Sequence, residues 1–293
     1  MPAVLLPTLD RRAFLKSAAL GVAAMAFVHT ARAEGESLHL ALLSDTHIPA
    51  DRKPGARGFN ACEHLQSIVP DLIATKADGL LIAGDAAQLI GEKEDYTVLL
   101  ELIKPVADTM PTYIALGNHD DRENFFAMVT QHFGDRQPVE DKFVTVIDHP
   151  ATRIVILDSL MYTRKRGGFL GKGQRDWLAT YLPANTDRPV VLVFHHTLGE
   201  GDNDLLDGER LFRLLEPHRH VKALIHGHSH RWELYERQGI KIINLPTVAH
   251  IWTPDQPIGW VDAHFRADGM TFTLKAFAGN TADNGKTVEW KWA

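Results

Sequence analysis

The sequence predicts an α/β layered sandwich. From residue 38 onward, apolar runs of strand length alternate with segments of helical spacing, the arrangement expected of sheets covered by helices. Several runs are apolar at nearly every position, as strands buried on both faces are. The 293 residues are 45% hydrophobic and 23% charged, enough apolar surface for a large core. No repeat, low-complexity linker or composition break interrupts residues 34–293, so one domain is expected there.

The elements follow in order. Leu38–Leu43 reads as the first strand, and Asn60–Thr75, with apolar residues three or four apart, as the helix leading to a second strand at Gly79–Ala83. Glu94–Ala107 is the next helix and Thr112–Leu116 the next strand. Asp120 and Asp121 stand before a helical run over Arg122–Phe133 with Glu123 close by, so one of them is expected to cap it. Strands are expected at Phe143–Ile147, Arg153–Leu157, Val190–Phe194, Val221–Ile225 and Ile240–Asn244, with helices at Lys172–Tyr181 and Leu205–Leu215. Trp260–Phe265 and Met270–Phe277 alternate with period two around Ala267-Asp268-Gly269, which predicts a C-terminal hairpin.

The first 33 residues stand apart. Arg11-Arg12 precedes an apolar run, Ala18–Val28, and Ala31-Arg32-Ala33 offers a small-x-small cleavage site. This is similar to a twin-arginine signal peptide, and implies the twin-arginine export machinery as a partner and a periplasmic or secreted location. The run is short of the ~20 residues a membrane-spanning helix needs, so no integral span is expected in the mature chain. Removing the segment takes away four basic residues and one acidic, moving the formal charge from −6 to −9. With no run of five like charges, binding to a nucleic-acid duplex through a basic face is not expected. Cys62, alone, reads as a small buried thiol, and no Cys-x-x-Cys offers a zinc or redox site.

The chemistry sits just after the apolar runs. Ala41-Leu42-Leu43 leads into Ser44-Asp45-Thr46-His47, Leu80 to Ala83 into Gly84-Asp85, and Tyr113 to Leu116 into Gly117-Asn118-His119-Asp120. Val191 to Phe194 leads into His195-His196, and Ala223 to His226 into Gly227-His228-Ser229-His230. Carboxyl ends of strands are where α/β sheets bind ligands, and residues i and i+2 of extended backbone point the same way. Oxygen and imidazole donors suit Fe, Mn or Zn and not the ions that want sulfur. Asp45, His47, Asp85, Asn118, His195, His228 and His230 make seven candidate ligands, too many for one tetrahedral ion and reasonable for two sharing a carboxylate. Two divalent ions with two carboxylates and a hydroxide keep a positive charge, which favours an anionic substrate such as a phosphate ester.

In this order the five blocks resemble the calcineurin-like metallophosphoesterases. The resemblance implies an αββα sandwich of mixed sheets and hydrolysis of phosphate esters by a hydroxide bridging two divalent or di-/trivalent ions. It also implies that Asp45, His47 and His230 bind one ion, that Asn118, His195 and His228 bind the other, and that Asp85 bridges them. His119 matches the family histidine that contacts the phosphate and can protonate the leaving oxygen. Gly84-Asp85 continues as Ala86-Ala87-Gln88 and lacks the arginine of the protein serine/threonine phosphatases. Leu157-Asp158-Ser159, Gly168 and Gln174 to Leu178 resemble the class III cyclic-nucleotide and glycerophosphodiester phosphodiesterase branch. That branch usually has two prolines after the histidine pair, where Thr197-Leu198-Gly199 stands here.

His196, Asp158 and His250 are candidates for substrate contact or for orienting a ligand, and His64 and His226 have no block to support them. Lys53, with Arg52 and Arg57, makes the Ala50–Phe59 loop a candidate substrate wall. The substrate expected is a phosphate-ester small molecule or lipid headgroup, with phosphodiesters first. The alternatives are a phosphomonoesterase or nucleotidase of the same fold, a metal-binding protein without turnover, and a serine hydrolase using Ser44. No Gly-x-Ser-x-Gly elbow supports the last.

Overall fold

Strand β1 (Leu38–Leu43) generates the layering. Successive side chains of a strand point to opposite faces. Leu38, Leu40 and Leu42 therefore enter one core, and Ala41 and Leu43 another. Both faces are covered, which is why the run is apolar throughout. The structure, a computed structural model, describes residues 37–130 and 134–292. The expected signal peptide lies outside them.

Two mixed sheets stack face to face. The first places β1 between β2 (Gly79–Ile82), which carries β3 (Thr112–Ile114) beyond it, and the long β11 (Pro257–Arg266). β12 (Gly269–Gly279) and β13 (Thr287–Lys291) continue past β11. β1, β2 and β3 run parallel, while β11, β12 and β13 add antiparallel. The second sheet has the order β4 (Asp135–Arg136), β5 (Thr145–His149), β6 (Thr152–Ile156), β7 (Val190–Val193), β8 (Val221–His226), β10 (Ile240–Asn244), β9 (Glu233–Arg237). Its centre, β6 to β8 with β10, is parallel.

Helices cover the outer faces. α1 (Ala61–Thr75), α2 (Lys93–Ala107) and α3 (Arg122–Met128) supply Leu65, Leu72, Tyr96, Leu99 and Phe125 to the core on the first sheet. α4 (Gly171–Ala184) and α5 (Gly208–Leu215) supply Leu178, Leu182, Leu211 and Phe212 to the core on the second. The result is the expected αββα order. Asn60 caps α1 by accepting the Glu63 N–H, and Asp121 caps α3 by accepting the Asn124 N–H, so the cap expected at Asp120 or Asp121 is Asp121.

The departures are at edges. β4, β9 and β13 were not legible in the sequence; Glu233–Arg237 and Thr287–Lys291 are charged and mostly half-buried or exposed, as edge strands that resist aggregation are. The expected terminal hairpin is β11 and β12, with β13 as a third strand. The helix expected from Leu205 begins at Gly208, because Leu205 instead forms a bridge to Gly168. α3 ends at Met128, short of the expected Phe133, and residues 131–133 lie outside those described. Among the described residues no helix is long and apolar enough to cross a membrane.

Candidate metal centre

The turns after β1, β2 and β3 of one sheet and after β7 and β8 of the other converge on one cleft. Five of the residues there, Asp45, His47, Asp85, His228 and His230, have φ of 53°, 44°, 49°, 73° and 56°. Left-handed backbone is uncommon for residues with a Cβ, and its concentration here turns the chain sharply enough to aim every side chain inward. The packing leaves little room. A Cβ on Gly227 would lie 1.9 Å from Ser44 Oγ, and one on Gly117 2.2 Å from Asp85 Oδ1.

Donor atoms of the cleft gather in three overlapping groups, two of which are triads that fall within the expected ligand sets, while the third joins His119 to His47 and Asp85. In the first, His230 Nε2 lies 3.2 Å from both Asp45 Oδ1 and His47 Nε2. In the second, His195 Nε2 lies 3.1 Å from Asp85 Oδ2 and 3.3 Å from His228 Nδ1. Asp85 Oδ2 is also 3.7 Å from His47 Nε2, so its carboxylate stands between the triads. Asp45 Oδ1 and Asn118 Oδ1 are buried and accept no hydrogen bond. Buried acceptors without donors are costly, and two of them in one cleft, the first facing imidazole nitrogens, fit metal ions as the missing partners. The imidazoles are held from behind: His195 Nδ1 is 2.9 Å from the Ala83 carbonyl, His230 Nδ1 2.6 Å from that of His250, and His47 Nδ1 3.3 Å from that of Gln88. Such contacts fix a ligand's tautomer and direction.

Burial and charge act differently on the donors. Burial pushes His47 down to about 3 and, with His195 next in weight, His228 down to about 4, leaving both neutral with free lone pairs. Burial opposes ionisation of Asp45 and Asp85, yet His230 and His195 beside the first and His195 beside the second hold both below the usual carboxylate range. His195 is raised to about 9 against burial, chiefly by Asp85 and Asp45. The two carboxylates thus call for positive charge at the place where a metal would bring it.

All seven candidate ligands lie in the cleft. His119 joins them with Nε2 4.0 Å from Asp85 Oδ2, its ring steadied by Nδ1 at 3.1 Å from the Leu89 carbonyl. His250 lies at the edge, its ring 4.6 Å from His230 and 4.8 Å from Trp252. His196 is buried 4.9 Å from His228, with Nδ1 2.8 Å from Ser159 Oγ and Nε2 without a partner. Among the described residues, the Asp158 carboxylate has no hydrogen bond or ion pair with a histidine. It is fully buried in a separate hub where Arg122 Nε and Nη2 donate to it at 2.7 and 3.0 Å, and the Phe143 and Leu160 amides add two more bonds. Ser44 donates its hydroxyl to Asp45 Oδ2 at 2.6 Å, so it orients a carboxylate and is not set up as a nucleophile. His64 holds the Val248 and Ala249 carbonyls, and His226 is buried in β8.

Two contributors escaped the sequence reading. Asp120 is buried and accepts from the Gly117, Ala86 and Ala87 amides and the Tyr96 hydroxyl, which binds the Asp85 turn to the Asn118 turn. Trp252, half exposed, walls the cleft with Arg57 above its ring at 5.1 Å. Asp120 belongs to the Gly117-Asn118-His119-Asp120 block without being one of its ligands, and Trp252 lies outside every block. The cleft opens into a cavity of about 780 Å³ lined also by Lys53, Arg164 and Arg166. Of the loop cations named above, Lys53 faces it while Arg52 turns away to Glu101.

A two-sheet sandwich with histidines, aspartates and an asparagine converging on strand ends defines a class of metal-dependent hydrolases. Residues 38–232 match the calcineurin-like phosphoesterase family, and the chain belongs to it. It is 26% identical over 260 residues to the 3′,5′-cyclic adenosine monophosphate phosphodiesterase CpdA of Haemophilus influenzae, covering 83% of this chain and 90% of that protein. It is 24% identical over 219 residues to the glycerophosphodiester phosphodiesterase GpdQ of Enterobacter lignolyticus, covering 72% and 77%. Its fold is that of a dimetal phosphatase from Danio rerio, at 15% identity and a TM-score of 0.67 over 87% of this chain and 99% of that one.

Proposed function

We propose that the chain is a binuclear-metal phosphodiesterase, in which Asp45, His47 and His230 hold one ion, Asn118, His195 and His228 the other, and Asp85 both. The observation that carries this reading is the pair of triads beside the Asp85 carboxylate, with Asp45 Oδ1 in the first and Asn118 Oδ1 in the same cleft, both buried and lacking donors. The donor set suits Fe, Mn or Zn. Two such ions supply a hydroxide nucleophile at neutral pH and Lewis acidity at the phosphoryl oxygens. The chain's own residues do the rest. His119 donates to the departing alkoxide from the solvent side of Asp85, and Lys53, Arg164 and Arg166 draw the anionic ester into the cavity.

Similarity to cyclic-nucleotide and glycerophosphodiester phosphodiesterases favours diesters over monoesters. Arg11-Arg12 and Ala31-Arg32-Ala33 support export to the periplasm after folding, through the twin-arginine machinery. The test is a panel of bis(nitrophenyl) phosphate, nitrophenyl phosphate, cyclic AMP and glycerophosphodiesters on protein reconstituted with Mn, Fe or Zn. Turnover of diesters that chelator abolishes is expected. Turnover of monoesters alone would reassign the substrate class, and hydrolysis indifferent to chelator would overturn the metal mechanism.

A further inference from the structure

A second group of imidazole and carboxylate donors lies on the first sheet. His39 on β1 and His264 on β11 are directly opposite in the antiparallel register, and Asp262 precedes His264 by two residues. Leu38, Leu40, Ala263 and Phe265 enter the core between the sheets, so His39, Asp262 and His264 share the outer face. Opposite Asp262 stands Ala41, whose small side chain leaves the carboxylate free to lean toward the histidines.

The three lie close together. The rings of His39 and His264 stack 3.9 Å apart at 19°. Both Nε2 atoms turn to the same oxygen, Asp262 Oδ1, at 2.5 Å from His39 and 3.9 Å from His264. One donor atom of each lies within 4.8 Å of the other two. Two imidazole nitrogens and a carboxylate oxygen are thus within reach of one ion, which would replace the His39–Asp262 hydrogen bond and turn the stacked rings apart so that their lone pairs converge. All three are partly solvent-exposed, at 16%, 21% and 42%, so an ion can enter. Asp78 accepts the His39 N–H at 2.8 Å, adding negative charge nearby. Arg266 is hydrogen-bonded to Asp268, Thr271 and Glu289, and it and Lys275 bring some positive charge toward His264 and Asp262. His39 opens β1 whereas Asp45 follows its end, six residues on, which at ~3.3 Å per residue is roughly 20 Å.

We propose that His39, Asp262 and His264 form a separate site for one borderline transition-metal ion, Cu(II), Zn(II) or Ni(II), with water completing its coordination. Such an ion ties β1 to β11, joining the parallel half of the first sheet to its antiparallel half.

The proposal is tested on full-length protein first loaded with metal and desalted. Dialysis against Zn(II) or Cu(II), followed by elemental analysis, should show one further equivalent per chain, and Cu(II) should give an electron paramagnetic resonance signal split by imidazole nitrogen. The double variant His39→Gln, His264→Gln should lose that equivalent and that signal while hydrolysing ester at the parental rate. Asp262→Asn should weaken binding by at least the roughly tenfold that losing a supporting group costs. No further uptake by the parent, or equal uptake by parent and double variant, would overturn the site whatever the cleft binds.

Discussion

At the scale of single residues, the two roles proposed around Asp85 are separable. His119 lies beside His47 and Asp85 but belongs to neither expected ligand set, so His119→Ala should keep both ions and lose about 10²–10⁴-fold in rate on alkyl esters. Nitrophenyl esters, whose leaving group departs unprotonated, should lose far less. Equal losses on both with metal intact would make His119 a phosphate holder and not an acid. Asp85 stands between the triads, so Asp85→Asn should lower metal content more than Asn118→Ala does. Active Asp85→Asn protein carrying two ions per chain in elemental analysis would remove the shared carboxylate. The candidate ligands were legible in the sequence because they fall in short blocks of a chemistry that structural residues seldom reproduce together. His250 and Trp252 were harder to place, since what brings them to the cleft is the path of the chain after β10. Asp120 was invisible as an organiser because a buried aspartate that accepts backbone amides looks in sequence like any helix-cap residue.

At the scale of elements, what was legible depended on burial. β1, β2, β7 and β8 are apolar on both faces and declared themselves, whereas β9 and β13 lie at edges and carry the polar residues that edges need. The Asp158 hub joins elements well separated in sequence. It pins Arg122 at the start of α3, and Gln174 of α4 accepts the Asp158 N–H at 2.9 Å and donates to its carbonyl at 2.6 Å. Asp158→Ala leaves the Arg122 guanidinium, three-quarters shielded from water, with the Leu160 carbonyl but without its carboxylate. Breaking a buried pair from one side costs about 3–5 kcal/mol, and partial exposure of Arg122 sets the lower end as the expectation. Denaturant unfolding should report that loss while metal content of the folded fraction stays at parental levels. A loss of metal without loss of stability would instead make Asp158 part of the centre.

At the scale of the whole molecule, the cleft draws on both sheets, so bound ions should brace one against the other. Chelation should therefore lower the melting temperature. For ions held at ~100 times their dissociation constant the loss is about 2.7 kcal/mol per site, and scanning calorimetry with and without chelator measures it. Unchanged melting would mean that the sheets are already fixed without metal. Export is testable on the full chain as well: Arg11→Lys with Arg12→Lys should hold the precursor in the cytoplasm while the folded domain stays active, and normal processing near Ala33 would refute the twin-arginine reading. The pairing of β1 with β11 has one more consequence. His39 and Asp262 are 223 residues apart in sequence, and ribosomes add about 5–20 residues per second. For roughly 10–45 seconds of synthesis, then, β1 exists without the neighbour that closes one of its edges, as a short greasy ribbon able to template onto another nascent chain. The molecule's danger period is its own translation, and slowing the ribosome after β1 should raise aggregation without altering one contact of the finished fold.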